Sequence, residues 1–80
     1  MLPTSPDPDP SRRFGQLIRL LREEQGWSQE ALAEFAALNR SFVGDLERGA
    51  AVPSLTTIDK LAAAFGITPS GLLSRLEAGL

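Results

Sequence analysis

The 80-residue chain contains no cysteine and no histidine. It can therefore build neither a disulfide framework nor the usual zinc site, and its stability must come from apolar packing. No apolar run approaches the roughly 18 residues needed to cross a bilayer, and no signal-peptide pattern opens the chain. The expectation is a cytoplasmic protein with no membrane partner. There is no phosphate-cradling glycine loop, and the carboxylates fall on solvated helical faces, which argues against an enzyme. No cofactor, metal or small-molecule ligand is implied, and a chain of this length has no room for an effector domain beside the one it can fold. An excess of positive charge is missing too: the formal net charge is −2. That weighs against a nucleic-acid ligand, but its distribution softens the objection. Asp7 and Asp9 lie in residues 1–10, which hold no base, and residues 11–80 balance at zero. A neutral domain can still bind DNA when its bases share one face, with weak non-specific affinity expected.

What is present is mostly alanine and leucine within a 42% hydrophobic composition, a mix that favours helix over sheet. Residues 1–10 carry four of the six prolines, so they are expected to form a disordered or polyproline-like arm. Residues 11–80 form the domain. Ser11 is the expected cap of a first helix, whose apolar stripe is Phe14, Leu17, Ile18 and Leu21; Gly26 closes it. Ser28 caps a second helix with Leu32, Ala33 and Ala36 inward, and Asn39 caps a third with Val43 and Leu46 inward. Ser54 caps a fourth, with Leu55, Ile58, Leu61, Ala62 and Phe65 on one side and Gly66 at its end. Thr68-Pro69 starts a fifth helix over 69–78, edged by Leu72, Leu73, Leu76 and Leu80. Five helices and no strand pattern predict a compact all-α domain.

Residues 29–48, QEALAEFAALNRSFVGDLER, place two short helices across a break of about three residues. Ala33 supplies the small side chain that a close helix crossing needs. Val43 and Leu46 give the second of the two helices its buried ridge, leaving Asn39, Arg40, Ser41, Gly44 and Asp45 outward. Short, hydrogen-bonding groups at a helix N-terminus suit base edges in a major groove.

Phe14-Gly15, Ile18-Arg19, Leu21-Arg22, the run Gly26 to Gln29, Leu32-Ala33, the run Leu46 to Gly49, Pro53-Ser54 and the stretch from Leu61-Ala62 to Phe65-Gly66-Ile67 together resemble the Cro/phage-repressor type of helix-turn-helix protein, the XRE family. The resemblance spans residues 14–73 and implies a lambda-repressor-like fold and a transcription regulator that binds double-stranded DNA. It implies that Gln29 bonds a phosphate and braces the recognition helix, that Ser28 and Arg48 touch phosphates, and that Asn39, Arg40, Ser41 and Asp45 read bases. Arg22 and Glu47 match a partly buried structural ion pair. Other roles stay open. Ser28 and Asn39 serve as caps with or without DNA. Arg40 suits guanine in bidentate fashion or a phosphate. Asp45 can accept from cytosine N4, pair with Arg48 or orient Arg40, while Arg19 is a solvated or phosphate-facing charge. The chain departs from the family at Ala37, where glycine is usual because the backbone turns to positive φ, and at 50–52, which lack polar or basic residues.

One recognition helix reads only a few base pairs, so a homodimer on a palindromic operator is expected, with half-sites about 34 Å apart. Leu72, Leu73 and Leu76 are the expected interface, and Leu17 and Leu20 belong to it or to the core. The segment Asn39 to Val43 is similar to controller proteins of restriction-modification systems; phage repressors and antitoxins look much alike. The alternative is a protein-interaction module such as an antitoxin on the same fold, favoured by the acidic total and the bare 50–52 loop.

Overall fold

The computed structural model describes residues 9–79, with five helices and no strand among them: α1 (Pro10–Glu24), α2 (Gln29–Ala36), α3 (Arg40–Glu47), α4 (Leu55–Phe65) and α5 (Pro69–Glu77). Four of the five expected caps are in place. Ser28, Asn39, Ser54 and Thr68 each accept a backbone N–H from the first turn that follows them, satisfying donors that have no partner within the helix.

The first cap differs. Asp9, not Ser11, caps α1, its Oδ1 accepting from the Ser11 amide at 2.9 Å. Pro10 is the first helical residue. Proline is tolerated there because the amide it lacks would have been unpaired anyway, so the expected arm is shorter by two residues; its remainder, residues 1–8, lies outside the described residues, as does Leu80.

The core takes Phe14, Leu17, Ile18 and Leu21 from α1, Leu32, Ala33 and Ala36 from α2, and Val43 and Leu46 from α3; Leu61, Ala62 and Leu72 complete it. The expected stripes of α1, α2 and α3 are therefore buried, while those of α4 and α5 are only partly so: Ile58, Phe65 and Leu76 are half-buried and Leu73 is exposed. Leu55, the first residue of α4, is 83% exposed. Leu20 is also partly exposed, while Leu17 is wholly core. In the connection between α1 and α2, Trp27 stacks on Phe65 (centroids 5.7 Å apart, planes 11° apart) and meets the exposed Phe35 at 4.7 Å, tying α2 to the end of α4. No helix among the described residues is long and apolar enough to cross a membrane.

Two backbone details set the pose of α3. Ala37 ends α2 at φ 54°, ψ 46°, the left-handed conformation expected there, at a cost to alanine of about 1–2 kcal/mol. Lys60 of α4 reaches the Ala37 carbonyl at 3.4 Å and Leu38 N–H bonds Ala33 O at 2.8 Å, which hold the turn closed. The second detail is Gly15. A Cβ on this residue would stand 2.1 Å from the Leu46 carbonyl oxygen and 2.8 Å from that of Glu47, so α1 and the end of α3 touch backbone to backbone. The small-residue crossing expected at Ala33 is present, with Ala33 buried, but the tightest approach belongs to Gly15. Gly15→Ala is expected to destabilise the fold by about 3 kcal/mol or more, since rigid backbone must move; urea denaturation followed by circular dichroism measures it, and a loss under about 1 kcal/mol would show that the helices are free to part.

Candidate nucleic-acid interface

The outer face of α3 is built from its own register. Ser41, Gly44, Asp45 and Arg48 recur at intervals of three and four and form one stripe, opposite Val43 and Leu46, which are fully buried. Asn39, Arg40 and Ser41 are exposed at the N-terminal end. Arg40 makes no hydrogen bond or ion pair among the described residues, so its guanidinium is available to a ligand. Asn39 Oδ1 is engaged by the Ser41 amide at 2.8 Å and Ser28 Oγ by the Ala31 amide at 3.0 Å. The cap role of both is thus realised, with the rest of each exposed side chain facing outward. Arg19 pairs with Glu23 at 3.2 Å on the solvated side of α1.

Behind the stripe lies the pair that fixes it. Arg22 of α1 grips Glu47 of α3 in bidentate fashion, Nε to Oε2 at 2.6 Å and Nη2 to Oε1 at 3.0 Å, with side chains only 12% and 4% exposed. Arg22 Nη1 also donates to the Trp27 carbonyl at 2.8 Å, and Gln29 Nε2 donates to Glu47 Oε1 at 3.0 Å. Four groups from α1, the α1–α2 connection, α2 and α3 thus meet on one ion pair. Donation to the Glu47 carboxylate holds the Arg22 pKa above its ordinary value, with burial opposing. A base with a raised pKa contributes fully below its unfolded value and loses that contribution only as pH climbs through the higher one. The pair therefore stays formed through the whole neutral and mildly alkaline range.

Gln29, the first residue of α2, is tied to Glu47, the last residue of α3. Asp45 takes the partner role left open for it: its Oδ1 accepts from Arg48 Nη2 at 2.5 Å. Gly44 departs from expectation. It is buried, because the Arg48 guanidinium folds back over it; a Cβ there would lie 3.2 Å from Arg48 Nη1 and 3.7 Å from Gln29 Oε1. A residue type alone could not reveal this, since it depends on the rotamer of a side chain one turn away.

A family model described as Helix-turn-helix (HTH_3) matches residues 18–72. The chain belongs to the HTH_3 helix-turn-helix family. This HTH_3 chain is 41% identical over 67 residues to "Control protein C.BamHI" of Bacillus amyloliquefaciens, covering 82% of the chain and 83% of that protein. It is 42% identical over 59 residues to the "Immunity repressor protein" of Bacillus phage phi105, covering 74% of the chain but 41% of that longer protein. Among solved structures, the restriction-modification controller protein C.AhdI from Aeromonas hydrophila superposes with a TM-score of 0.73 at 49% identity, covering 76% of this chain and 92% of that one.

The expected dimer residues separate. Leu72 is fully buried in the chain's own core and offers nothing to a second copy. Leu73 is 38% exposed and Leu76 is half-buried. Both line an apolar groove with Phe14, Val52, Pro53 and Ile58, of which Val52 was not singled out by sequence reasoning and is 80% exposed.

Removing one member of the ion pair, as in Glu47→Ala, should cost about 3–5 kcal/mol by stranding Arg22. Replacing both, as in Arg22→Leu with Glu47→Leu, should recover most of that loss. Denaturant midpoints of the single and double variants test this, and equal losses for the two would show that packing, not charge pairing, governs the site.

Proposed function

We propose that this chain is a sequence-specific DNA-binding regulator of transcription that acts as a homodimer, with α3 lying in the major groove of each half-site. The observation that supports this reading most directly is the exposed stripe of α3: a free Arg40, Ser41, Asp45 and Arg48 project from a helix whose opposite face is sealed in the core. Polar donors and acceptors on a rigid, protruding helix are what reading base edges requires. Family membership and the control and repressor proteins among the relatives point the same way.

In this reading Arg40 is the principal reader, bonding guanine O6 and N7, with Asn39, Ser41 and Asp45 completing the base-facing edge. Ser28, Gln29 and Arg48 bond phosphates on either side and set the register. The α2 N-terminus adds its backbone dipole beside Ser28 and Gln29, which favours a phosphate there. The control proteins among the relatives, one of them matched along 83% of its length, favour a small dimeric controller.

A dimer supplies the second half-site, and its surface is the groove carrying Leu73, Leu76, Phe14, Val52, Pro53 and Ile58. Leu73→Glu leaves the core untouched and should convert the dimer to monomer, lowering operator affinity by at least tenfold; sedimentation equilibrium and a gel shift measure the two effects. A variant that stays dimeric places the interface elsewhere.

A gel shift against the DNA upstream of the chain's own gene, with salt titration, tests the reading as a whole. A preferred site and steep salt dependence are expected; no binding below about 10 μM would instead favour the interaction module. Arg40→Ala should lower discrimination by about 1–3 kcal/mol at one base position only. Selection from a random oligonucleotide pool checks this, and uniform loss across sequences would make Arg40 a phosphate contact.

A further inference from the structure

The Arg48 side chain, though largely exposed, lies along its own helix. It folds back along α3, over Gly44 and beside Gln29, and its Nη2 is held by Asp45 Oδ1 at 2.5 Å. The Arg48 Nη1 stands 3.2 Å from where a Cβ on residue 44 would be, so a side chain there would shift the guanidinium by a few tenths of an ångström. The pair is nonetheless exposed, with side-chain accessibilities of 65% for Arg48 and 47% for Asp45. An exposed pair of this spacing is weak, so a stronger competitor can open it.

Resting on the regulator reading above, we propose that Asp45 is a positioning residue that sets DNA specificity by withholding Arg48 from phosphate until the correct base is present. The duplex offers Arg48 a phosphate at every position. Taking it leaves the Asp45 carboxylate unpaired and facing a polyanion, which is repulsive. At a half-site that presents a cytosine amino group to Asp45, the carboxylate exchanges one donor for another. Arg48 then turns to a phosphate without stranding its former partner. At other sequences the exchange is unavailable, and one phosphate contact per subunit is forfeited. Discrimination thus comes partly from a penalty on wrong sites, in keeping with a chain whose net charge is −2.

The full chain is titrated against its selected operator and a mixed-sequence duplex of equal length, between about 50 and 200 mM salt. The unmodified protein should show a steeper salt slope on the operator than on the mixed duplex, by about 0.9 for each subunit's extra phosphate. Asp45→Asn, which keeps the shape and removes the charge, should raise mixed-duplex affinity about threefold per subunit and bring the two slopes together. In an Arg48→Ala background the same substitution should lose most of that gain, since no withheld contact remains to be released; circular dichroism confirms that each variant is folded. An equal gain with and without Arg48 reduces Asp45 to a plain negative charge and overturns the proposal. Parallel weakening on both duplexes, or no change, overturns it too. Failure of the unmodified protein to bind either duplex sinks the regulator reading itself, which distinguishes the two.

Discussion

The Arg22–Glu47 ion pair is the constraint on which the rest of the structure depends. It joins the last turn of the first helix to the last residue of the third, and its spare donors and acceptors bind the carbonyl of the intervening connection and the first side chain of the second helix. A domain of this size has a small core. Burying two charges within it is tolerable because all three Arg22 nitrogens donate and both Glu47 oxygens accept hydrogen bonds. In return the pair fixes α3 in both rotation and tilt. Apolar packing through Val43 and Leu46 alone would leave the helix free to slide among nearly equivalent contacts.

The backbone contact at Gly15 and the left-handed Ala37 act on the same helix from its two ends. Gly15 lets α1 seat directly against the terminal carbonyls of α3, while Ala37, held by Lys60, sets the angle at which the chain enters it. The strain at Ala37 is modest beside what the turn secures. The three devices belong to different physical classes: an ion pair, a missing methyl group and a dihedral angle. Together they hold a helix of eight residues, too short to persist by itself, in one orientation.

Most of this architecture was legible in the sequence because it is periodic. The apolar stripes of α1, α2 and α3 repeat at helical spacing, and the capping residues Ser28, Asn39, Ser54 and Thr68 announce themselves by type. The ion pair was legible through resemblance, not through spacing, since its members lie 25 positions apart. Failures of the reading were of another kind. Asp9 outcompeted Ser11 as a cap because proline at the next position favours a helix start, a preference that outweighs the general aversion of proline for helices. Leu72 and Leu73 are neighbours of the same type, and only the packing of α5 decides which one turns inward. Gly44 looks exposed by register and is covered by an arginine whose rotamer no pattern encodes.

The aromatic cluster at the α1–α2 connection carries a consequence of its own. Trp27 is the only tryptophan, and tyrosine is absent, so intrinsic emission at long ultraviolet excitation comes from one indole. That indole lies between Phe35 and Phe65, and its own carbonyl is held by Arg22. Its fluorescence is accordingly a single-site gauge of whether α2 remains docked on α4 beside the ion pair, built into the chain without any label.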